Sequence, residues 1–204
     1  MNTAIILASA SPRRREILTQ IGFDFTVITS QAEEEEKAAL ANEPSPVQKV
    51  EILSHLKGED VFERLLAEGK EDFLVIGADT VVSIDDEILE KPVDLADAKY
   101  MISRLQGRVH TVYTGVSLFY ADAAGKKKEQ TFVVGSEVEV YPMTEEEIFW
   151  YISEEEPYDK AGSYAIQGVF KRFIKHINGD YDNIVGLPAG AVYHAVQEML
   201  REVP

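Results

Sequence analysis

The 204-residue sequence contains no cysteine. Disulfides, iron–sulfur clusters and thiol catalysis are therefore excluded, and a cytoplasmic setting is expected. It has no apolar run of roughly 18 residues, so no membrane-spanning helix and no membrane partner is expected. The N-terminus lacks a charged segment followed by a long apolar one, so no secretion signal is expected either. Histidine is scarce: four, at positions 55, 110, 176 and 194, none paired at zinc spacing. His110, in "GRVHTVYTG", reads as structural. A G-x-S-x-G elbow, a Walker loop ending in GK[ST] and a GxGxxG turn are all missing. Positive charge is in deficit. Twenty Lys and Arg face 36 Asp and Glu, a net charge of -16 at pH 7, which argues against nucleic acid as a partner.

What is present alternates between strand and helix patterns. "AIILA" (4–8) is a short apolar run, followed by a helical stripe of Ile17, Leu18 and Ile21 that ends at Gly22. "FTVIT" (25–29) is a second strand, and the acidic, proline-bearing "SQAEEEEKAALANEPSP" reads as a loop. Helical spacing runs from Val47 to Leu66, with Gly58 as a division between two helices. "FLVIGADTVV" (73–82) is a buried strand, and "DLADAKYMISRL" (94–105) is an amphipathic helix capped by Asp94. "VHTVYTGVSLFYA" and "EQTFVVGSEVEVY" alternate apolar and polar residues around "DAAGKKK", a long hairpin. "TEEEIFWYI" opens with a capping box. "DKAGSYAIQG" and "INGDYDNIVGLP" read as irregular, and a last helix spans about Pro188 to Arg201. With no repeat and no linker, residues 1–204 form one α/β domain with two lobes.

The chemistry concentrates in a few stretches. "LASASPRRREIL" (7–18) offers Ser9 and Ser11 as N-caps and Pro12 as the first residue of a helix, with three arginines in its first turn. A cation there costs about 0.3–1 kcal/mol against the helix dipole. Either the arginines turn to solvent, or a strongly negative group occupies the spot. A strand feeding a small-residue turn and a helix N-terminus is a phosphate site, and arginine forks suit phosphate oxygens, so the stretch reads as a polyphosphate cradle, the alternative being a capped helix with a solvated basic face. Asp79, in "GADTVV", ends an apolar strand, where it would bind a divalent cation, activate a water, or merely cap a turn. Glu33 to Glu36 form a solvated acidic patch or lend a carboxylate to that cation. Lys91, before Pro92, is a further cation near a turn, and Gln167 carries an amide able both to donate to and accept from a base edge.

Six stretches in order, "LASASPRRREIL", "GADTVV", "KP", "LQGRVHTVYTGV", "EEPYDKAGSYAIQG" and "GDYDNIVGLP", resemble the Maf family of nucleoside triphosphate pyrophosphatases over nearly the whole chain. The resemblance implies a Maf/inosine-triphosphatase-like α/β fold, with an elongated mixed sheet flanked by helices and a cleft between two lobes. It implies hydrolysis of a nucleoside triphosphate to the monophosphate and pyrophosphate with a divalent metal cation, Mg²⁺ or Mn²⁺, and a homodimer. Asp79 stands where the family has its proton acceptor. Arg13, Thr80 and Gln167 stand at the positions that distinguish the branch acting on dTTP and UTP. Asp79 with Glu34, or Glu33, would hold the metal, and Ser9, Arg14, Lys57 and Lys91 would bind the triphosphate. Glu90 replaces the glycine usual before "KP" and adds negative charge near the phosphate path. The alternatives are a non-catalytic nucleotide-binding regulator of cell division and a pyrophosphatase for modified purine triphosphates.

Overall fold

Capped, periodic stretches become helices and apolar alternation becomes strands. The computed structural model describes residues 3–154 and 156–201. In chain order, β1 (Ala4–Leu7) turns into α1 (Pro12–Gln20), and β2 (Phe25–Val27) precedes α2 (Glu33–Ala39) and α3 (Pro46–Ala67). β3 (Phe73–Ile84), β4 (Glu87–Leu89) and α4 (Leu95–Leu105) follow, then the hairpin of β5 (Val109–Ala121) and β6 (Lys127–Val140). The chain continues through α5 (Glu145–Ile152), three short 3₁₀ turns between residues 156 and 173, β7 (Ile174–Asn178), α6 (Tyr181–Val185) and α7 (Ala189–Arg201). The caps are those that local sequence dictates: Ser11 with Pro12 for α1, Asp94 for α4, and capping boxes of Ser45 with Gln48 and Thr144 with Glu147 for α3 and α5. Among the described residues no helix is long and apolar enough to cross a membrane.

The strands form one mixed sheet in the order β2-β1-β3-β5-β6-β7, with β4 paired to the far half of β3. β1 runs parallel to β2 and β3, while β3, β5, β6 and β7 pair antiparallel. The alternation of side chains sorts β3 between two cores. Phe73 and Val75 face α3, where they meet Val61, Phe62 and Leu65. Leu74, Ile76, Ala78 and Val82 face the larger core on the other side, built with α1, α4, α5 and α7.

β1 pairs with β3 only as far as Leu7 opposite Ile76, and β4 joins only from Val82 opposite Leu89. Between those points no strand among the described residues pairs with the edge of β3. This gap is the cleft. β1, β2 and α1 lie to one side of it, β4 and α4 to the other, and the long strands β3, β5 and β6 run continuously past both.

Four local readings change. Gly58 does not divide a helix: α3 is continuous, and a Cβ at Gly58 would lie 2.6 Å from the Phe119 ring. Its glycine serves close packing against the sheet. The four glutamates are not in a loop. They form the first turn of α2, where the dipole favours anions. Asp79 sits inside β3 rather than at its end, because antiparallel β5 carries the strand on past β1. "INGDYDNIVGLP" is more regular than its glycines imply, contributing β7 and α6, the latter capped by Asp180.

Candidate active site

The gap in the sheet edge opens into a cavity of about 660 Å³. Ser9, Arg13, Arg14, Lys57, Asp79, Thr80, Lys91 and Gln167 all line it. They come from β1's exit, α1, α3, β3, the turn after β4 and the 3₁₀ segment, elements that only the tertiary fold brings together.

Asp79 and Thr80 are neighbours on β3 and therefore point to opposite faces. Asp79 faces α3, where Lys57 Nζ donates to its Oδ1 at 2.6 Å. Lys57 is also 3.7 Å from Glu36 Oε2 on α2. One ammonium thus sits between two carboxylates. Burial raises the Glu36 pKa above its ordinary value, Lys57 pulls it down, and the nearby Asp79 charge pushes it up again.

Glu34 is not part of this cluster. Its carboxylate pairs with Lys37 at 2.7 Å, its side chain is 84% exposed, and it does not line the cavity. Glu33 and Glu36 do. On a helix, residues three apart share a face, and the residue after the first turns away. Of the run Glu33 to Glu36, the helix thus turns Glu33 and Glu36 to the cavity and Glu34 to solvent.

On the other face, Arg14 is held at three points. Nε donates to the Gly186 carbonyl at 2.9 Å, Nη1 to Ser9 Oγ at 3.0 Å and Nη2 to Thr80 Oγ1 at 3.1 Å. Burial works against its charge and Asp79 supports it. Of the three arginines, 13 and 14 turn to the cavity and Arg15 stays exposed. Arg14 meets the helix dipole from a position where carbonyl and hydroxyl oxygens already surround its guanidinium. Ser9 Oγ accepts from Arg14 and also from the Ser11 N–H at 3.3 Å. Its own hydrogen has no acceptor among the described residues and is left to donate, which suits an acceptor such as a phosphate oxygen.

Part of the lining is apolar. Val112, Ile166, Ile184 and Val185 line the cavity along with Tyr164 and Gln167. The Tyr164 hydroxyl bonds His110 Nε2 at 2.7 Å, and its ring packs on Phe170. His110 is buried, and burial lowers its pKa from 6.5 to about 3. It is therefore neutral at pH 7 and supports the wall rather than the chemistry. Glu90 is neutralised by an ion pair with Lys49 of α3, and its carbonyl accepts the Gly162 N–H at 3.0 Å. The substituted glutamate thus ties Lys91's turn to α3 and to the 3₁₀ segment.

A prediction follows from His110. The unfolded chain binds a proton near pH 6.5 and the folded chain resists it, so stability is lost as pH falls below about 6.5. Between pH 6.5 and 5 this amounts to about 2 kcal/mol. Urea unfolding of wild type and His110→Gln at pH 7 and pH 5 should show the gap between them shrinking by that amount. A gap independent of pH would show that His110 does not resist protonation.

Several known proteins are similar to this chain. A protein of Agathobacter rectalis named dTTP/UTP pyrophosphatase is 46% identical over 203 residues, covering 96% of this chain and 97% of that one. Proteins of the same name from Lachnoclostridium phytofermentans and Syntrophus aciditrophicus are 42% and 45% identical, covering 95% and 96% of this chain and 94% and 89% of theirs. The solved structure of the Staphylococcus aureus Ham1 protein aligns over 96% of this chain and 98% of its own, with 15% identity and a TM-score of 0.39, too distant to bear on the site. The model of the Maf-like protein family matches residues 4–199, and with it the cavity, the arginine clamp and the Asp79–Lys57 pair all fall inside the matched span: the chain belongs to the Maf-like family.

Proposed function

We propose that this chain hydrolyses dTTP and UTP to the nucleoside monophosphate and pyrophosphate. The observation that carries the reading is Asp79, a carboxylate facing a cavity whose other walls supply Arg13, Arg14, Ser9 and Lys91. Relatives named for that activity share 42% to 46% of their residues with it.

The residues divide the reaction between them. Lys57 occupies Asp79 Oδ1, which leaves Oδ2 without a hydrogen-bond partner among the described residues. That oxygen takes a proton from the attacking water as its oxygen bonds the α-phosphorus. The bond from the α-phosphorus to the bridging oxygen breaks, and pyrophosphate leaves. Ser9, Arg13, Arg14 and Lys91 hold the triphosphate and receive its developing charge, and positioning of this kind supplies most of the catalysis in phosphoryl chemistry. Gln167, whose amide can both donate and accept, meets the base.

A divalent metal cation fits the donor set. Asp79 and Glu36 offer hard carboxylate oxygens, and the Lys57 ammonium between them shows that the pair attracts positive charge. Among the described residues no group of three or more His, Asp or Glu is arranged to hold a metal alone. Mg²⁺ and Mn²⁺ suit such a site because they are held by one or two carboxylates together with substrate phosphates. Bound there, the cation would offset charge on the phosphate oxygens.

Pyrophosphate release from dTTP, UTP, CTP, GTP, ATP and 7-methyl-GTP, with and without Mg²⁺ or Mn²⁺, tests the reading. Activity confined to dTTP and UTP is expected. Activity mainly on purines would keep the reaction and overturn the substrate, and binding without turnover would favour a nucleotide-binding regulator. Glu36→Gln should raise the metal concentration needed for half-maximal activity about tenfold, whereas Glu34→Gln should leave it unchanged. The reverse pattern would return the metal to Glu34.

A further inference from the structure

We infer that Thr114, which does not line the cavity, is a positioning residue that sets the direction of a buried chain of hydrogen bonds and so holds Arg14 in place. The inference rests on the proposed function and deepens it.

The direction of the chain follows from its fixed end. Thr114 lies on β5 opposite Thr80 and is fully buried. Its Oγ1 is 3.0 Å from the Asn183 carbonyl oxygen. A carbonyl only accepts, so Thr114 spends its one hydrogen there. In the 2.9 Å contact between Thr80 and Thr114 the donor must then be Thr80. Thr80 thereby spends its own hydrogen, and its 3.4 Å approach to the Gly186 carbonyl is the weaker alternative. What remains on Thr80 Oγ1 is acceptor capacity, and Arg14 Nη2 takes it.

The fixed end is itself tied to the sheet. Asn183 Nδ2 donates to the Val112 carbonyl at 3.0 Å and to Ser136 Oγ at 2.9 Å, which ties α6 to β5 and β6. Gly186, which takes the Arg14 Nε–H, belongs to the same turn, since its N–H bonds the Asn183 carbonyl at 3.1 Å. The clamp on Arg14 is therefore anchored at both ends to one rigid turn.

Two consequences follow for the site. Thr80 has no free hydrogen with which to read a base, so its influence on substrate runs through Arg14. The opposite end of the chain ends in donors only: the free Ser9 hydrogen and the two Arg14 N–H groups left after three of its five are used. Such an end selects a group that only accepts, as a phosphate oxygen does.

Thr114→Val keeps the shape and removes the hydroxyl; Thr114→Ser keeps the hydroxyl. In Thr114→Val, Thr80 is free to turn its hydrogen to Gly186 and compete with Arg14. The KM for dTTP should rise about tenfold with a smaller change in kcat, and the affinity for inorganic pyrophosphate, measured by calorimetry, should fall in parallel. Thr114→Ser should restore both. Equal losses in the valine and serine variants, or no change in either, would overturn the proposal. A wild type that hydrolyses no nucleotide but shows the same loss and rescue of pyrophosphate affinity would overturn the proposed function and support this inference. Should Thr114→Val fail to fold, neutron diffraction from deuterated wild type decides: deuterium pointing from Thr80 to Thr114 supports the chain, and from Thr80 to Gly186 overturns it.

Discussion

Asp79→Asn is expected to lower kcat for dTTP hydrolysis by about 10²- to 10⁴-fold, the usual contribution of a positioned general base. Asparagine has the size of aspartate and can still accept from Lys57 through its amide oxygen. What it lacks is the second carboxylate oxygen, the one left unpaired in the structure. The Arg14 clamp lies on the opposite face of β3 and is anchored by Gly186, Ser9 and Thr80, so it should survive the change. Affinity for inorganic pyrophosphate in the absence of metal should accordingly stay within about threefold, a change of less than 1 kcal/mol. Steady-state kinetics and calorimetry on the same preparation separate the two. A variant that keeps a tenth or more of wild-type kcat would show that another group takes the proton.

Gly77→Ala should strike both stability and activity. An added Cβ would lie 2.2 Å from the Ser54 carbonyl oxygen, 2.7 Å from the Gly58 nitrogen and 2.9 Å from the Gly58 Cα. All three are backbone atoms of α3, and none can rotate away. The helix must move off the sheet as a body. Overpacking of this kind costs about 1–3 kcal/mol, and the displacement draws Lys57, one residue before Gly58, away from Asp79. A lower urea midpoint together with reduced kcat is expected. Gly190→Ala is the contrast: it lies in α7, nothing is within 4 Å of its Cβ, and alanine there should be neutral or stabilising by about 0.5–1 kcal/mol. An unchanged midpoint for Gly77→Ala would mean that α3 does not sit as closely as described.

What could be read in the sequence was whatever depends on near neighbours. The caps at Ser11, Asp94 and Thr144 need only three or four residues to declare themselves, and the β5–β6 hairpin needs only alternation and a turn. That Ser9 and Arg14 lie together was legible for the same reason, since strand, turn and helix are contiguous there. Which glutamates of the run 33–36 face the cavity was not, because that requires the phase of a helix that has no side-chain cap at Ala32. Gly58 was misread because its meaning lies in Phe119 and Gly77, both distant in sequence. Thr114 was invisible because its role appears only when residues 80, 114 and 183 meet.

The long strands also settle how this molecule can deform. Where two lobes are joined by loops, a few backbone torsions act as a hinge and the mouth between them opens freely. Here β3, β5 and β6 cross from one lobe to the other as a continuous ribbon, paired residue by residue from one end to the other. Widening the mouth would bend three strands together and stretch several rungs of both ladders. Asp79 and Thr80 are consecutive on β3, the strand of that ribbon that borders the cleft, and the ladder to β5 holds both. The Asp79 face and the Arg14 face are therefore set by one strand, and the molecule is built as a stiff frame with both faces fixed to one beam.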